Sequence, residues 1–189
     1  VATCHDLIPL VLGGSYLPVT AVGERLFWNR YVKLLRDEAA RVVAISGHVK
    51  QILSGDYDVA AEKIDVVHHG LAPFWSQPAD PSSEAAILGE LPPGPYVLFV
   101  GGFDSRKNFD NALVALNSVP EKIRPRLVVV GQRGKSDRKW HARLQWWHRA
   151  QATFLEKVSD EDLRALYRNA LCLMFPSVEE GWGFPIVEA

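Results

Sequence analysis

Tyr96-Val97-Leu98-Phe99-Val100-Gly101-Gly102 reads as a buried strand that runs out into two glycines. Behind it, Phe109, Ala112, Leu113 and Leu116 follow the i, i+3, i+4, i+7 spacing of one helix face. The same rhythm extends downstream. Leu127 to Val130 is a strand ending at Gly131, and Asp137 to Ala150 has helical spacing with Trp140, Leu144 and Trp147 on one face. Thr153 to Leu155 is a short strand. Ser159 with Asp162 three residues on resembles a capping box ahead of Leu163, Leu166, Tyr167 and Ala170. Leu171 to Phe175 is a strand, and Phe184 to Ala189 begins a helix. Upstream, Val1 to Leu10 opens as a strand and passes into a loop through Gly13-Gly14 and Pro18. Glu24 to Arg41 is helical, Val42 to Ile45 a strand, His48 to Leu53 a helix, and Ile64 to His68 a strand ended by Gly70. Strands alternating with helices predict an α/β fold of parallel βαβ units with right-handed crossovers. Ligands of such sheets bind beyond the carboxyl ends of the strands. The loops to watch are therefore His5-Asp6, Ser46-Gly47, His69-Gly70, Gly101 to Asn108, Gly131 to Ser136, Lys157-Val158 and Pro176 to Pro185.

Composition narrows the function classes. Of 189 residues, 48% are apolar and 23% charged, which is globular rather than disordered or low-complexity. Lys plus Arg is 21 against 22 for Asp plus Glu, a net charge of −1, without the basic excess of a non-specific nucleic-acid binder. No apolar run approaches the roughly 18 residues of a membrane-spanning helix. The two cysteines, Cys4 and Cys172, fall inside apolar segments; that is neither a disulfide framework nor a zinc site, and it suits a reducing compartment. No leader precedes Val1 and no stop signal follows Ala189, so the chain is expected to be an internal piece of a longer protein. The stretch Leu71 to Pro95 holds six prolines and Ser82-Ser83, with a short helical piece around Ala85 to Leu88. Such punctuation marks a linker between domains.

The richest chemistry lies in Phe175-Pro176-Ser177-Val178-Glu179-Glu180-Gly181-Trp182-Gly183-Phe184-Pro185-Ile186-Val187-Glu188-Ala189. A strand delivers two carboxylates and two glycines into a loop, and a helix starts at Phe184 or Pro185. Glycines let backbone approach a ligand, and a helix N-terminus offers N–H groups to oxygen atoms. Glu188 lies about one turn into that helix and can point back at the same pocket. By itself the loop also fits a plain acidic helix start. Gly131-Gln132-Arg133-Gly134-Lys135-Ser136 mimics a P-loop but has two residues between its glycines where four are needed. His68-His69 would point to opposite faces of a strand and lacks a carboxylate cluster for a metal. Arg138 to Arg149 mixes cations with Trp140, Trp146 and Trp147. It reads as a solvated helix with a packed aromatic face, the alternative being contact with an anionic membrane surface. Two carboxylates flanking a bond, as in glycosidases, is a distant alternative for Glu180 and Glu188.

Five segments in order resemble one family. Glu180 and Glu188 are separated by seven intervening residues in a run Pro-Ser-x-x-Glu-Gly-x-Gly-x-Pro-x-x-Glu-Ala that is similar to the signature of retaining GT-B glycosyltransferases of family 4, the glycosyl transferases group 1. His5-Asp6-Leu7-Ile8-Pro9 resembles the His-Asp loop of that family's N-terminal domain. Val43 to Ser46 and Lys63 to Gly70 resemble its next two strands. Phe99-Val100-Gly101-Gly102 with Arg106-Lys107-Asn108 resembles its diphosphate loop, and Asp160 to Ala170 with Phe175-Pro176-Ser177 the approach to the acidic motif. The resemblance implies two Rossmann-like α/β domains facing across a cleft, both incomplete here. Residues 1–72 would be the later part of the acceptor-side domain, 73–94 a linker, and 95–189 a truncated donor-nucleotide-binding domain.

The resemblance also assigns roles. Lys107 and Arg106, on the loop of Gly101 and Gly102, would hold the donor diphosphate, where fixed cations stabilise the charge that builds on the leaving group. Glu180 would lie near the anomeric carbon, and the backbone of Gly181, Trp182, Gly183 and Phe184 would meet sugar hydroxyls. Glu188 would bind the ribose hydroxyls, Lys157 and Val158 the base, and His5 would face the donor sugar. Glu180, His5, Lys107 and Arg106 are thus the expected catalytic set. Many members carry Arg where this chain has Gly102, and Arg106 is the nearest substitute. Gly-Trp-Gly stands for the commoner Gly-Phe-Gly. No metal is obligatory, since Lys107, Arg106 and helix N-termini can do the charge work. The implied reaction is retaining transfer of a hexosyl group, mannosyl among the candidates, from a nucleotide-diphosphate sugar to a glycan, lipid-linked or small-molecule acceptor in polysaccharide biosynthesis. No nucleic-acid partner is expected. The expected setting is cytoplasmic, with peripheral contact at the inner face of a membrane. The alternative is an inactive sugar-nucleotide-binding partner subunit.

Overall fold

The computed structural model describes residues 1–13, 22–78, 80–103, 105–131 and 152–189. The expected loop through Gly14 and Pro18, the Trp-bearing helix of Asp137 to Ala150 and most of the Gly131 to Ser136 loop lie outside the described residues. The chain divides into two units, Val1–Gly70 with Glu179–Gly183, and Leu71–Val178 with Phe184–Ala189.

In the first unit, β1 (Ala2–Cys4), β2 (Val42–Ala44) and β3 (Ile64–Val66) form a parallel sheet in the order β1-β2-β3. The helices are α1 (Ile8–Val11), α2 (Val22–Lys33), which runs on into a wider turn at Leu34–Glu38, and α3 (Gly47–Gly55). The expected strand from Val1 is shorter than its apolar run. Pro9 lacks an N–H and has a fixed φ, which suits the first turn of α1. Ser46 caps α3, its Oγ accepting from Val49 N at 3.1 Å. Leu7, Leu35, Val42, Ala44, Val49 and Leu53 meet in one core.

In the second unit, β4 (Tyr96–Val100), β5 (Arg126–Val130), β6 (Ala152–Leu155) and β7 (Cys172–Leu173) are parallel throughout, in the order β6-β5-β4-β7. Around them stand α4 (Pro81–Gly89), α5 (Phe109–Asn117), α6 (Asp160–Asn169) and α7 (Phe184–Glu188). Side chains alternate across a strand, so β4 feeds two cores. Val97 and Phe99 pack with Phe109, Ala112, Leu113 and Leu116 of α5. Tyr96 and Leu98 pack with Ile87 of α4 and Ala165 and Leu166 of α6. A sheet covered on both faces needs apolar residues on both, which is why the β4 sequence is continuously hydrophobic.

The proline-rich stretch 73–94 is more than a tether. Pro73 and Pro81 occupy the first turns of a 3₁₀ turn (Pro73–Ser76) and of α4, where a missing N–H is harmless. Asp80 caps α4, and its own backbone N–H donates to Glu161 Oε1 at 3.0 Å. Arg164 is 4% exposed, donates to Phe74 O at 2.6 Å and lays its guanidinium 4.1 Å from the Phe74 ring centre. Prolines that read as punctuation here begin helical turns packed on α6. Cys4 is buried and Cys172 is exposed. Among the described residues no helix is long and apolar enough to cross a membrane.

Candidate active site

The strand order of the second unit reverses at β4. The chain runs outward through β5 and β6 and returns to β7 on the other side of β4. Such a reversal opens a crevice at the carboxyl end of the first strand. Gly101 sits there with φ 150°, and its N–H donates to Val130 O at 2.9 Å. A Cβ on Gly101 would stand 3.2 Å from Lys107 Cδ and Cε, so the glycine leaves the passage for the lysine stem. On the adjoining strand end, a Cβ on Gly131 would lie 2.0 Å from Gly101 O. The two backbones meet at a distance that only glycine allows.

Arg106 and Lys107 follow on a 3₁₀ turn, Ser105–Lys107. Lys107 is only 9% exposed, and its Nζ lies 5.1 Å from the centre of the Phe175 ring. Burying an ammonium group is unfavourable unless something compensates it, and the electron-rich ring face is one compensation. Asn108 adopts φ 54°, ψ 37°, a left-handed conformation that Asn tolerates better than most residues. Its Nδ2 donates to Pro176 O at 3.0 Å, its Oδ1 accepts from Asn111 Nδ2 at 2.8 Å, and Val178 N donates to Arg106 O at 2.9 Å. The cationic turn is therefore tied to the strand exit that leads toward the acidic loop. Asn108 stands in the Arg-Lys-Asn motif, and its side chain clamps the two loops.

Gly102 continues the same turn from β4, half-buried. Lys157 is exposed, and Val158 packs on the core beneath α6. Both lie after β6, two strand positions away from β4. Ser159 caps α6: its Oγ accepts from Asp162 N at 3.1 Å and donates to Asp162 Oδ2 at 2.6 Å. Phe184 opens α7 and Glu188 closes it. Glu188 Oε2 accepts the Tyr167 hydroxyl at 2.9 Å, and the Trp75 ring meets Tyr167 edge-on at 6.0 Å. Burial first, and then the Glu188 carboxylate, push the Tyr167 hydroxyl far above its ordinary range, so it stays a proton donor. Tyr167 reads in the sequence only as one residue of a helix face, and nothing in its spacing announces this partnership.

In the first unit, β1 ends at Cys4 and is followed by His5 and Asp6. Asp6 Oδ1 accepts from Ile8 N at 3.1 Å and so holds the start of α1. His5 Nδ1 and His69 Nε2 are 3.2 Å apart in a hydrogen bond, with the rings stacked at 5.2 Å and 13°. His68 instead meets the Trp182 ring at 4.7 Å. The two adjacent histidines thus serve different partners, and among the described residues no group of three or more His, Cys, Asp or Glu is placed to hold a metal. Gly181 is buried against the His5-Asp6 backbone; a Cβ there would lie 2.2 Å from His5 O and 3.0 Å from Asp6 Cβ. Gly183 has φ 82°, which side chains rarely adopt. Trp182 packs on the core of this unit, and Glu179 Oε1 meets His48 Nε2 at 2.6 Å. His5, Glu180, Gly181, Trp182 and Gly183 therefore share one unit, while Gly101, Gly102, Arg106, Lys107, Phe184 and Glu188 belong to the other.

Residues 83–189 match the family profile described as Glycosyl transferases group 1, and residues 1–73 match Glycosyltransferase Family 4. The chain is 23% identical over 187 residues to the O-antigen chain mannosyltransferase RfbU of Salmonella typhimurium, covering 99% of this chain and 48% of that protein. Among solved structures it resembles WaaG, a glycosyltransferase involved in lipopolysaccharide biosynthesis. The TM-score is 0.76 at 21% identity, covering 99% of this chain and 52% of that one. HepE of Anabaena, solved in complex with UDP and glucose, gives a TM-score of 0.75 at 19% identity, covering 99% and 49%. The chain spans about half the length of RfbU, WaaG and HepE. These structures carry the GT-B fold, and the two parallel sheets described above are parts of it.

Proposed function

The chain belongs to the glycosyl transferases group 1 family, and from that premise we propose that the complete protein moves a hexosyl group from a nucleotide-diphosphate sugar to an acceptor hydroxyl with retention of configuration. The observation that carries this reading is Lys107, a buried cation beside Gly101 at the strand-order reversal. A diphosphate brings the negative charge such a group is suited to receive. The solved neighbour HepE holds UDP and glucose, and RfbU is named a mannosyltransferase, which favours a nucleotide-sugar donor and mannose among the hexoses.

In this reading residues 95–189 are the donor side and residues 1–72 the acceptor side. Lys107 and Arg106, with the backbone of Gly101 and Gly102, bind the diphosphate. Glu188, held by Tyr167, takes the ribose hydroxyls, and Lys157 and Val158 border the base. The backbone of Gly181, Trp182, Gly183 and Phe184 contacts the sugar hydroxyls, with Glu180 near the anomeric carbon and His5 facing the ring. As the sugar–phosphate bond breaks, negative charge gathers on the leaving diphosphate and the fixed cations stabilise it. The departing phosphate oxygen accepts the acceptor's proton while the acceptor oxygen bonds to the anomeric carbon on the same face, so configuration is kept. The charge work is done by side chains and backbone, and the reading requires no resident metal. A cytoplasmic setting with peripheral contact at the inner membrane face, and a glycan, lipid-linked or small-molecule acceptor, belong to the same reading.

Calorimetric titration of UDP, GDP, ADP and dTDP into the complete protein tests it, beside Lys107→Ala and Glu188→Ala. One nucleotide is expected to bind with micromolar affinity, weakened about tenfold or more by each substitution. A folded protein that binds none of the four overturns the proposal. Binding without donor turnover would favour an inactive partner subunit instead.

A further inference from the structure

We infer that Trp75 is a positioning residue for Glu188: seated by Arg164 on the turn Pro73–Ser76, its ring steadies Tyr167, whose hydroxyl aims the Glu188 carboxylate at the ribose of the donor nucleotide. The ribose assignment rests on the reading proposed above; the contacts stand without it. All the residues involved lie in the second unit. The series starts at a buried charge. Arg164 is 4% exposed, and a guanidinium taken out of water needs groups that replace the water. Its Nη2 donates to Glu161 Oε1 at 2.5 Å and its Nη1 to Phe74 O at 2.6 Å, and the Phe74 ring centre lies 4.1 Å from the guanidinium. Two of these three contacts are to Phe74, so Arg164 keeps its partners only while the turn Pro73–Ser76 is seated on α6. The turn is closed by its own hydrogen bonds, Trp75 N to Ala72 O at 3.0 Å and Ser76 Oγ to Pro73 O at 2.9 Å. The Glu161 oxygen that pairs with Arg164 also accepts from Asp80 N at 3.0 Å, which ties down the chain just beyond the turn.

Trp75 is the next residue along. Its ring meets Phe74 edge-on at 5.6 Å and 80°, and Tyr167 at 6.0 Å and 69°. Arg164 and Tyr167 stand three residues apart on α6 and so share a helix face, and Phe74-Trp75 contacts both. A tyrosine hydroxyl sits at the end of a rigid arm, so a modest rotation at χ1 carries it out of hydrogen-bond range. The Trp75 ring limits that rotation while the hydroxyl donates to Glu188 Oε2 at 2.9 Å. Glu188 has three side-chain torsions. Held by Tyr167, its carboxylate is presented in one orientation; released, it would have to be ordered by the ligand at a cost in affinity. Trp75 acts through Tyr167, and its effect therefore falls on the one group of the ligand that Glu188 meets.

The test uses the complete protein and each of the four nucleotides named above, in its ribose and its 2′-deoxyribose form, titrated by calorimetry. Trp75→Leu removes the ring, Trp75→Met removes it with a chain that fills more of the space, and Trp75→Phe keeps an aromatic edge for Tyr167. Thermal melts identify the variants that fold; either of the first two suffices. The wild type is expected to prefer the ribose form about tenfold. In Trp75→Leu and Trp75→Met that preference falls to about twofold, while the deoxy form binds as it does to the wild type; Trp75→Phe keeps most of the preference. With Tyr167→Phe already in place, Trp75→Leu costs no further preference, because both act through one hydrogen bond. A merely structural role would weaken both nucleotide forms alike, and that result overturns the proposal. An undiminished preference in Trp75→Leu overturns it too, and leaves the donor-site reading standing. A wild type that binds both forms equally, or neither, sinks the ribose assignment and the proposal together.

Discussion

The Tyr167 hydroxyl donates to Glu188 Oε2 across 2.9 Å and ties α6 to α7. The link fixes the carboxylate that the proposed reaction assigns to the ribose. Hydrogen bonds to a charged group are worth about 1.5–3 kcal/mol, so a freed Glu188 should bind its ligand less well. Tyr167→Phe keeps the ring and its contact with Trp75 and removes only the donor. The expected result is a donor-nucleotide Kd weakened about tenfold with kcat little changed, read by calorimetry and initial rates. An unchanged Kd would detach Glu188 from the ribose.

Gly181→Ala should be among the most damaging one-carbon changes in the chain. The added Cβ would lie 2.2 Å from His5 O, a backbone atom that cannot swing away. Overpacking of this kind costs about 1–3 kcal/mol. Gly55→Ala is the matched control, since a Cβ there meets nothing within 4 Å and the residue closes α3. Alanine at that position should be neutral or stabilise by up to about 1 kcal/mol. Equal shifts in denaturant melts would contradict the close approach at Gly181.

Ile87→Ala tests whether the proline-rich stretch is structural. Ile87 is 6% exposed and shares a core with Leu98, Val128 and Leu166. The substitution should cost about 2–4 kcal/mol in urea unfolding of the complete protein. A bare tether would give no change.

The two thiols should separate cleanly in labelling. Cys4 is fully buried, and burial pushes its thiol from 9.0 up to about 11; Cys172 is exposed. A thiol-reactive dye at mildly alkaline pH should label Cys172 quickly and Cys4 only on unfolding. The raised value also gives a sign to the pH dependence. The fold favours the protonated thiol, so this contribution to stability is whole below 9.0 and is lost as pH climbs through about 11. Urea melts on either side of that window, with Cys4→Ala as the flat reference, would check it.

Much of this was legible in the residues. The continuous hydrophobic run of β4, the spacing of Phe109 to Leu116 and the glycines at the strand exits specify an α/β unit because they are local signals with a period. The Ser159 cap is legible for the same reason, since donor and acceptor stand three residues apart. The acidic run and the Arg106-Lys107 turn could be picked out as chemistry and compared with a family. What the prolines of 73–94 pack on was not legible, because a proline at the first turn of a helix and a proline in a tether look alike without the partner that packs on them.

By itself, then, the sequence determined the kind of elements, their order and the residue types presented at strand ends. Only the tertiary structure decided the pairings: Tyr167 with Glu188, Asn108 with Pro176, His5 with His69, and Gly181 against His5. The first three of these join residues 21, 68 and 64 positions apart. A periodic pattern reports which face of an element is buried and carries no record of what buries it. That choice is made when faces from distant segments compete to pack, and the hydrogen bonds that orient a site form only afterwards, between the groups this packing has brought within 3 Å or so of each other.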